Sequence, residues 1–151
     1  MTKQSRVTEL NESELEARFF SILFDVEDRL EIEYGEEIFR KNYETYVEDT
    51  YIEINHRLRT SGGRYCFKSD GKGWFESRVE IHPEIPVSSF KDVVEHEVLH
   101  LLTGMSDGSQ FHRVCDDLGI VKTHDETFST RYENKYEIIC ASCKETIATR
   151  K

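Results

Sequence analysis

Between Ser69 and Gly73 the chain reads Ser-Asp-Gly-Lys-Gly, and no regular helix or strand runs comfortably through such a segment. Glycine accepts positive φ without steric cost, and an Asp side chain can hydrogen-bond the backbone two residues on, so the chain is expected to reverse here. Beyond the turn, Phe75, Ser77, Val79 and Ile81 alternate with Trp74, Glu76, Arg78 and Glu80. A period of two puts the first set on one face of a strand and the second on the other. Before the turn, Arg64 to Lys68 can form a short strand that starts after the break at Ser61-Gly62-Gly63. The two runs are expected to pair as a hairpin, closed by Pro83 and Pro86.

Helical patterns flank this hairpin. Leu15, Phe19, Ile22, Leu23, Val26 and Leu30 recur at helical spacing, with Ser13 and Glu16 as the expected capping box and Gly35 near the end. A weaker helical stretch runs from Glu36 toward Tyr43 and Val47, and Tyr51 to Arg59 has strand character. After the prolines, Ser88 or Ser89 can cap a helix with Phe90, Val93, Val94, Val98, Leu101 and Leu102 on its apolar positions, stopped by Gly104. A last helix is expected from Ser109 or Gln110 to Leu118, burying Phe111, Val114, Cys115 and Leu118 and ending at Gly119. The order of helices, small sheet and helices predicts an α+β domain over residues 11–130, after a flexible polar tail at 1–10.

Composition narrows the partners. With 151 residues there is room for one sizeable core but not comfortably for two. The formal net charge of -10 repels phosphate backbones at long range, so any nucleic-acid contact must be local. Arg57, Arg59, Arg64, Lys68 and Lys72 do cluster around the hairpin, with Tyr65, Phe67 and Trp74 as candidate stacking surfaces. The competing reading of that cluster is solvent-facing charges over core aromatics. Met1 to Val7 is polar and unlike a signal peptide, and no run nears the ~20 apolar residues that cross a bilayer. A cytoplasmic, reducing location without membrane contact is therefore expected.

The chemistry gathers on the helix after the prolines. His96 and His100 lie four apart, so both imidazoles leave one helix face about 400° of rotation apart and can share one ion. Glu97 can approach the same ion from the side without being a ligand. This is the H-E-x-x-H arrangement, in which zinc activates water and a carboxylate takes its proton as the water attacks a carbonyl. Two surface histidines on an ordinary helix would be the plainer reading, but the helix stop at Gly104 and the apolar companions Val98 and Leu99 favour the metal site. Glu95 turns about 100° from His96, toward a solvated or supporting role. His56, His82 and His124 stand singly and read as ordinary polar residues.

Three segments carry a family resemblance: Arg57 to Tyr65, Val79-Glu80-Ile81-His82-Pro83, and Phe90 to His100. Together they resemble the SprT-like family, which includes the Spartan proteases that degrade proteins crosslinked to DNA. The likeness spans roughly residues 15 to 143 and is most specific over 57 to 119. It implies a zincin-like fold, a Zn2+ cofactor, protein substrates that include DNA-attached ones, and Glu97 as the catalytic base. Aligning Gly108-Ser109-Gln110-Phe111 on the family's H-G-x-x-F segment puts Asp107 where a third histidine ligand usually stands. Asp binds zinc through oxygen, while His112, five residues on, offers an imidazole, so both remain candidates. As a non-ligand, Asp107 would cap the following helix with Gln110.

Cys140 and Cys143 form one C-x-x-C knuckle resembling half of the family's C-terminal zinc ribbon, over residues 131–151. One knuckle supplies two of the four ligands of a closed structural site. Cys66 and Cys115 are expected as small apolar residues. A non-catalytic zinc-binding module that recruits protein or nucleic-acid partners is the alternative to the enzyme, and the presence of Glu97 argues against it.

Overall fold

The computed structural model describes residues 5–59, 61–106 and 108–121. Asn11 opens the first helix, α1 (Glu12–Tyr34), by accepting the N–H of Glu14 at 2.8 Å while Glu14 accepts the N–H of Asn11 at 3.0 Å. The capping box thus falls two residues before the expected Ser13–Glu16 pair, because Asn11 is the residue with extended backbone that can turn its side chain onto the first turn. Leu15, Phe19, Leu23, Val26 and Leu30 form the buried stripe, and Gly35 ends the helix at φ 82°.

The flexible tail expected over residues 1–10 does not hold for residues 5–10. Val7 is fully buried within a short 3-10 turn, Val7–Glu9, and bonds the Ile85 carbonyl through its N–H at 2.9 Å. Residues 5–10 pack because Arg6 bridges to Pro86 and an apolar side chain follows it into the core.

Helix α2 (Tyr43–Asp49) leads into strand β1 (Tyr51–Ile54), which is shorter than the Tyr51–Arg59 run. Asn55 ends it by accepting the Arg57 N–H on its side chain and the Leu58 N–H on its carbonyl. Strands β2 (Gly63–Ser69) and β3 (Phe75–Ile81) make the expected antiparallel hairpin, with Tyr65 opposite Val79 and Ser69 opposite Phe75. The sheet order is β1-β3-β2, and β1 joins β3 in parallel with Ile52 opposite Val79. Helix α3 (Phe90–Thr103) is entered through a 3-10 turn, Val87–Ser89, and Ser89 at its start makes no side-chain cap bond. Helix α4 (Ser109–Leu118) follows, and Gly104 and Gly119 end the two helices at φ 71° and 73° as the sequence implies. The result is an α+β fold of four α-helices and a three-stranded sheet among the described residues.

Helix α3 is the centre of the packing. From Val93 to Thr103 every residue is buried, and α1, α2 and β2 all lie against it. Its approach to the sheet depends on Gly63. A Cβ there would stand 2.8 Å from Val93 Cγ1, 3.0 Å from the Glu80 carbonyl oxygen and 3.6 Å from Glu97 Cγ. Among the described residues no helix is long and apolar enough to cross a membrane.

Candidate metal centre

His96 and His100 stand one turn apart on α3, with their ring centroids 5.1 Å apart. Both are buried, and their orientation is set by backbone carbonyls. His96 Nδ1 lies 2.8 Å from the Val121 carbonyl oxygen, and His100 Nδ1 lies 2.8 Å from that of Met105. A carbonyl only accepts, so each Nδ1 must carry the proton and donate. In a neutral ring the lone pair then falls on Nε2, the tautomer that a metal-binding histidine needs.

The latch on His100 is local. Gly104 adopts the left-handed conformation, gives its N–H to the His100 carbonyl at 2.9 Å, and folds Met105 back toward the ring. Thr103 Oγ1 accepts the Met105 N–H at 3.2 Å and steadies the turn. The latch on His96 comes from the chain leaving α4. His82 provides a contrast: its Nδ1 accepts the Glu84 N–H at 3.0 Å, so the proton of its neutral ring sits on Nε2. Its burial is that of a turn-forming core histidine, in line with its reading as an ordinary polar residue.

The spacing of the two rings fits a shared ion. An imidazole bound through nitrogen at about 2.1 Å has its centroid roughly 3.2 Å from the metal, and two such rings at the tetrahedral angle are about 5 Å apart. The observed 5.1 Å matches. Phe111 of α4 walls one side, stacked on His100 at 4.0 Å with 3° between planes and edge-on to His96 at 5.1 Å. Glu97 has no exposed surface, and charged carboxylates take such positions only with compensating partners. Its Cγ lies under Gly63 of β2, so strand and helix together define its place.

Among the described residues no three of His, Cys, Asp and Glu gather into a metal-sized group. His112 is half-buried on α4, directly after the Phe111 that stacks on His100, with its ring centroid 6.2 Å from that of Phe111. Asp107, His124, Cys140 and Cys143 lie outside the described residues.

Of the two roles expected for Glu95, solvated or supporting, its burial removes the solvated one. It is 2 % exposed and is held by Arg29 Nη2 at 2.6 Å and Lys91 Nζ at 2.9 Å. The charge pattern hid this, because Arg29 lies on a helix distant in sequence. Arg29 and the Val121 and Met105 carbonyls are the site-shaping groups that sequence reasoning missed, since main-chain acceptors leave no residue-type signal. Phe111 was expected in the core, though not on the imidazoles.

Of the basic cluster around the hairpin, Arg64 is engaged within the protein, whereas Arg57, Arg59, Lys68 and Lys72 are exposed. Arg64 and Arg78 both bind Glu80, joined by Asn55 Nδ2 at 2.9 Å. Burial acts to raise the Glu80 carboxyl, but hydrogen bonds from Asn55, Arg78 and Arg64 outweigh it and hold the group below its ordinary 4.5. Tyr65 is buried with its hydroxyl 2.9 Å from Ser77 Oγ, and Phe67 packs edge-on to Tyr46 at 4.8 Å. Of the three candidate stacking surfaces only Trp74 is largely exposed. Cys115 is buried as expected, whereas Cys66 is half-buried, its thiol pushed up by that burial.

No protein-family model, curated protein or solved structure matches the chain.

Proposed function

We propose that this chain is a zinc-dependent peptidase, with His96 and His100 as ligands through Nε2 and Glu97 as general base. The observation that carries the reading is the pair of Nδ1–H donors latched onto backbone carbonyls, which leaves both lone pairs on the same tautomeric position one helix turn apart. The resemblance of Arg57 to Tyr65 and Phe90 to His100 to SprT-like proteases supports it, and extends the substrate class to proteins, including those attached to DNA. Asp107 is the candidate third ligand with His112 as the alternative, and a single knuckle at Cys140 and Cys143 is a candidate for a second ion.

A zinc ion held there would supply Lewis acidity toward a peptide carbonyl and toward water. Glu97 would take the proton of the attacking water on its carboxylate and return it to the departing amine. The two carbonyl latches hold the imidazoles in register, and Phe111 keeps solvent from the face of His100.

Glu97→Gln tests the assignment because it is nearly isosteric. The variant is expected to bind zinc at the wild-type stoichiometry while peptidase turnover falls on the order of 10²–10⁴-fold. Equal turnover in the zinc-loaded variant overturns the mechanism, and a protein with bound zinc but no peptidase activity in either form points to the recruiting module instead.

A further inference from the structure

Arg29 spends all three of its nitrogens on different elements. Nε meets Asp25 on its own helix at 3.0 Å, Nη2 meets Glu95 of α3 at 2.6 Å, and Nη1 donates to the Leu118 carbonyl at the end of α4 at 2.7 Å. Glu95 is the residue before His96, and Leu118 lies three residues before Val121, the carbonyl that takes the His96 Nδ1 proton. The intervening chain is short and fixed: Ile120 gives its N–H to the Cys115 carbonyl at 2.8 Å and is itself buried.

We infer that Arg29 is a positioning residue for the metal centre, acting through the Leu118–Val121 backbone to set the tautomer and orientation of His96. The inference rests on the proposed metal role of His96, but its first consequence can be read without metal. A guanidinium can grip a carboxylate and a carbonyl at once in a fixed fork, whereas a single ammonium cannot reach both in the same geometry. The latch on His100 shares none of these groups, because Met105 is placed by Gly104 and Thr103. The two imidazoles therefore provide an internal control.

The test is Arg29→Lys in the full chain, metal-free, with long-range proton–nitrogen NMR at a pH where both rings are neutral. In the wild type both histidines are expected as the Nδ1–H tautomer. In the variant, His96 is expected to move toward the Nε2–H form while His100 keeps its wild-type signature. Zinc affinity, read by competition with a chromophoric chelator, is expected to fall about 10- to 100-fold, the usual effect of losing a group that orients a ligand. Glu95→Gln, which keeps an oxygen acceptor but removes the charge, is expected to give the same pattern at smaller amplitude and serves if the lysine variant does not fold. Unchanged His96 resonances in either folded variant overturn the inference, as does an equal change at both histidines, which would mark general loosening. A His96 tautomer shift in a protein that never takes up zinc keeps Arg29 as the positioner and removes the metal reading alone.

Discussion

Glu80 and Glu97 are both glutamates with almost no exposed surface, 1 % and 0 %, and a Cβ at Gly63 would meet the backbone of one and the side chain of the other. Glu80 sits on the outer face of the sheet, where Arg64, Arg78 and Asn55 answer its charge. Glu97 sits between the sheet and α3, beside two imidazoles whose protons are directed onto main-chain carbonyls. Equal burial thus accompanies two different arrangements. A carboxylate matched by guanidiniums of its own sheet ties strand to strand, and one set beside two latched imidazoles stands where the proposed metal site would need its base. Partners, rather than exposure, distinguish them.

The comparison breaks first at the ligands. His100→Ala is expected to reduce zinc in elemental analysis from one equivalent to background, whereas Glu80→Gln keeps the full complement; zinc retained by the His100 variant would remove the distinction. Gly63→Ala tests the shared boundary. Its Cβ would collide with Val93 Cγ1, so chemical denaturation is expected to show a loss of about 1–3 kcal/mol, with weaker zinc uptake as α3 is pushed off the sheet. The smallest effect belongs to Glu80→Gln. A loss of about 1–2 kcal/mol is expected, moderated because Arg64 keeps 35 % of its side chain in water and can be resolvated. Acidity sharpens this last case. The folded-state carboxyl is held below 4.5, so the unfolded chain binds the proton more readily, and the stabilisation is full above that pH and lost as the pH falls below it. Melting temperatures measured down the acid range should drop less steeply in the Gln variant than in the wild type.

Much of this architecture can be read from local pattern. The stripe from Leu15 to Leu30, the glycine stops at 35, 104 and 119, and the alternation around the 69–73 turn each act within a few residues, and each element stands where its spacing places it. The pair His96 and His100 was legible for the same reason. What escaped is non-local. The parallel pairing of β1 with β3 joins Tyr51 to Arg78 across the whole hairpin, and no short window contains both. The burial of Glu80 and Glu95 was not legible because Arg64 comes from the neighbouring strand and Arg29 from α1. The capping box moved to Asn11 because Ser13 and Asn11 offer similar chemistry, and backbone conformation chose between them.

Arg40 has a bearing on how long the centre keeps its shape. Its N–H bonds the Leu102 carbonyl at 2.9 Å, and its guanidinium lies 4.7 Å and 4.6 Å from the ring centroids of Tyr46 and Phe67. The end of a helix gathers partial negative charge on its last carbonyls, and a cation resting against two aromatic rings answers it there. His100 belongs to that final turn, the part of an isolated helix that unwinds most readily. Fastened by a residue from another part of the chain, the turn is tied down at its Leu102 carbonyl as well as, through Met105, at the imidazole itself.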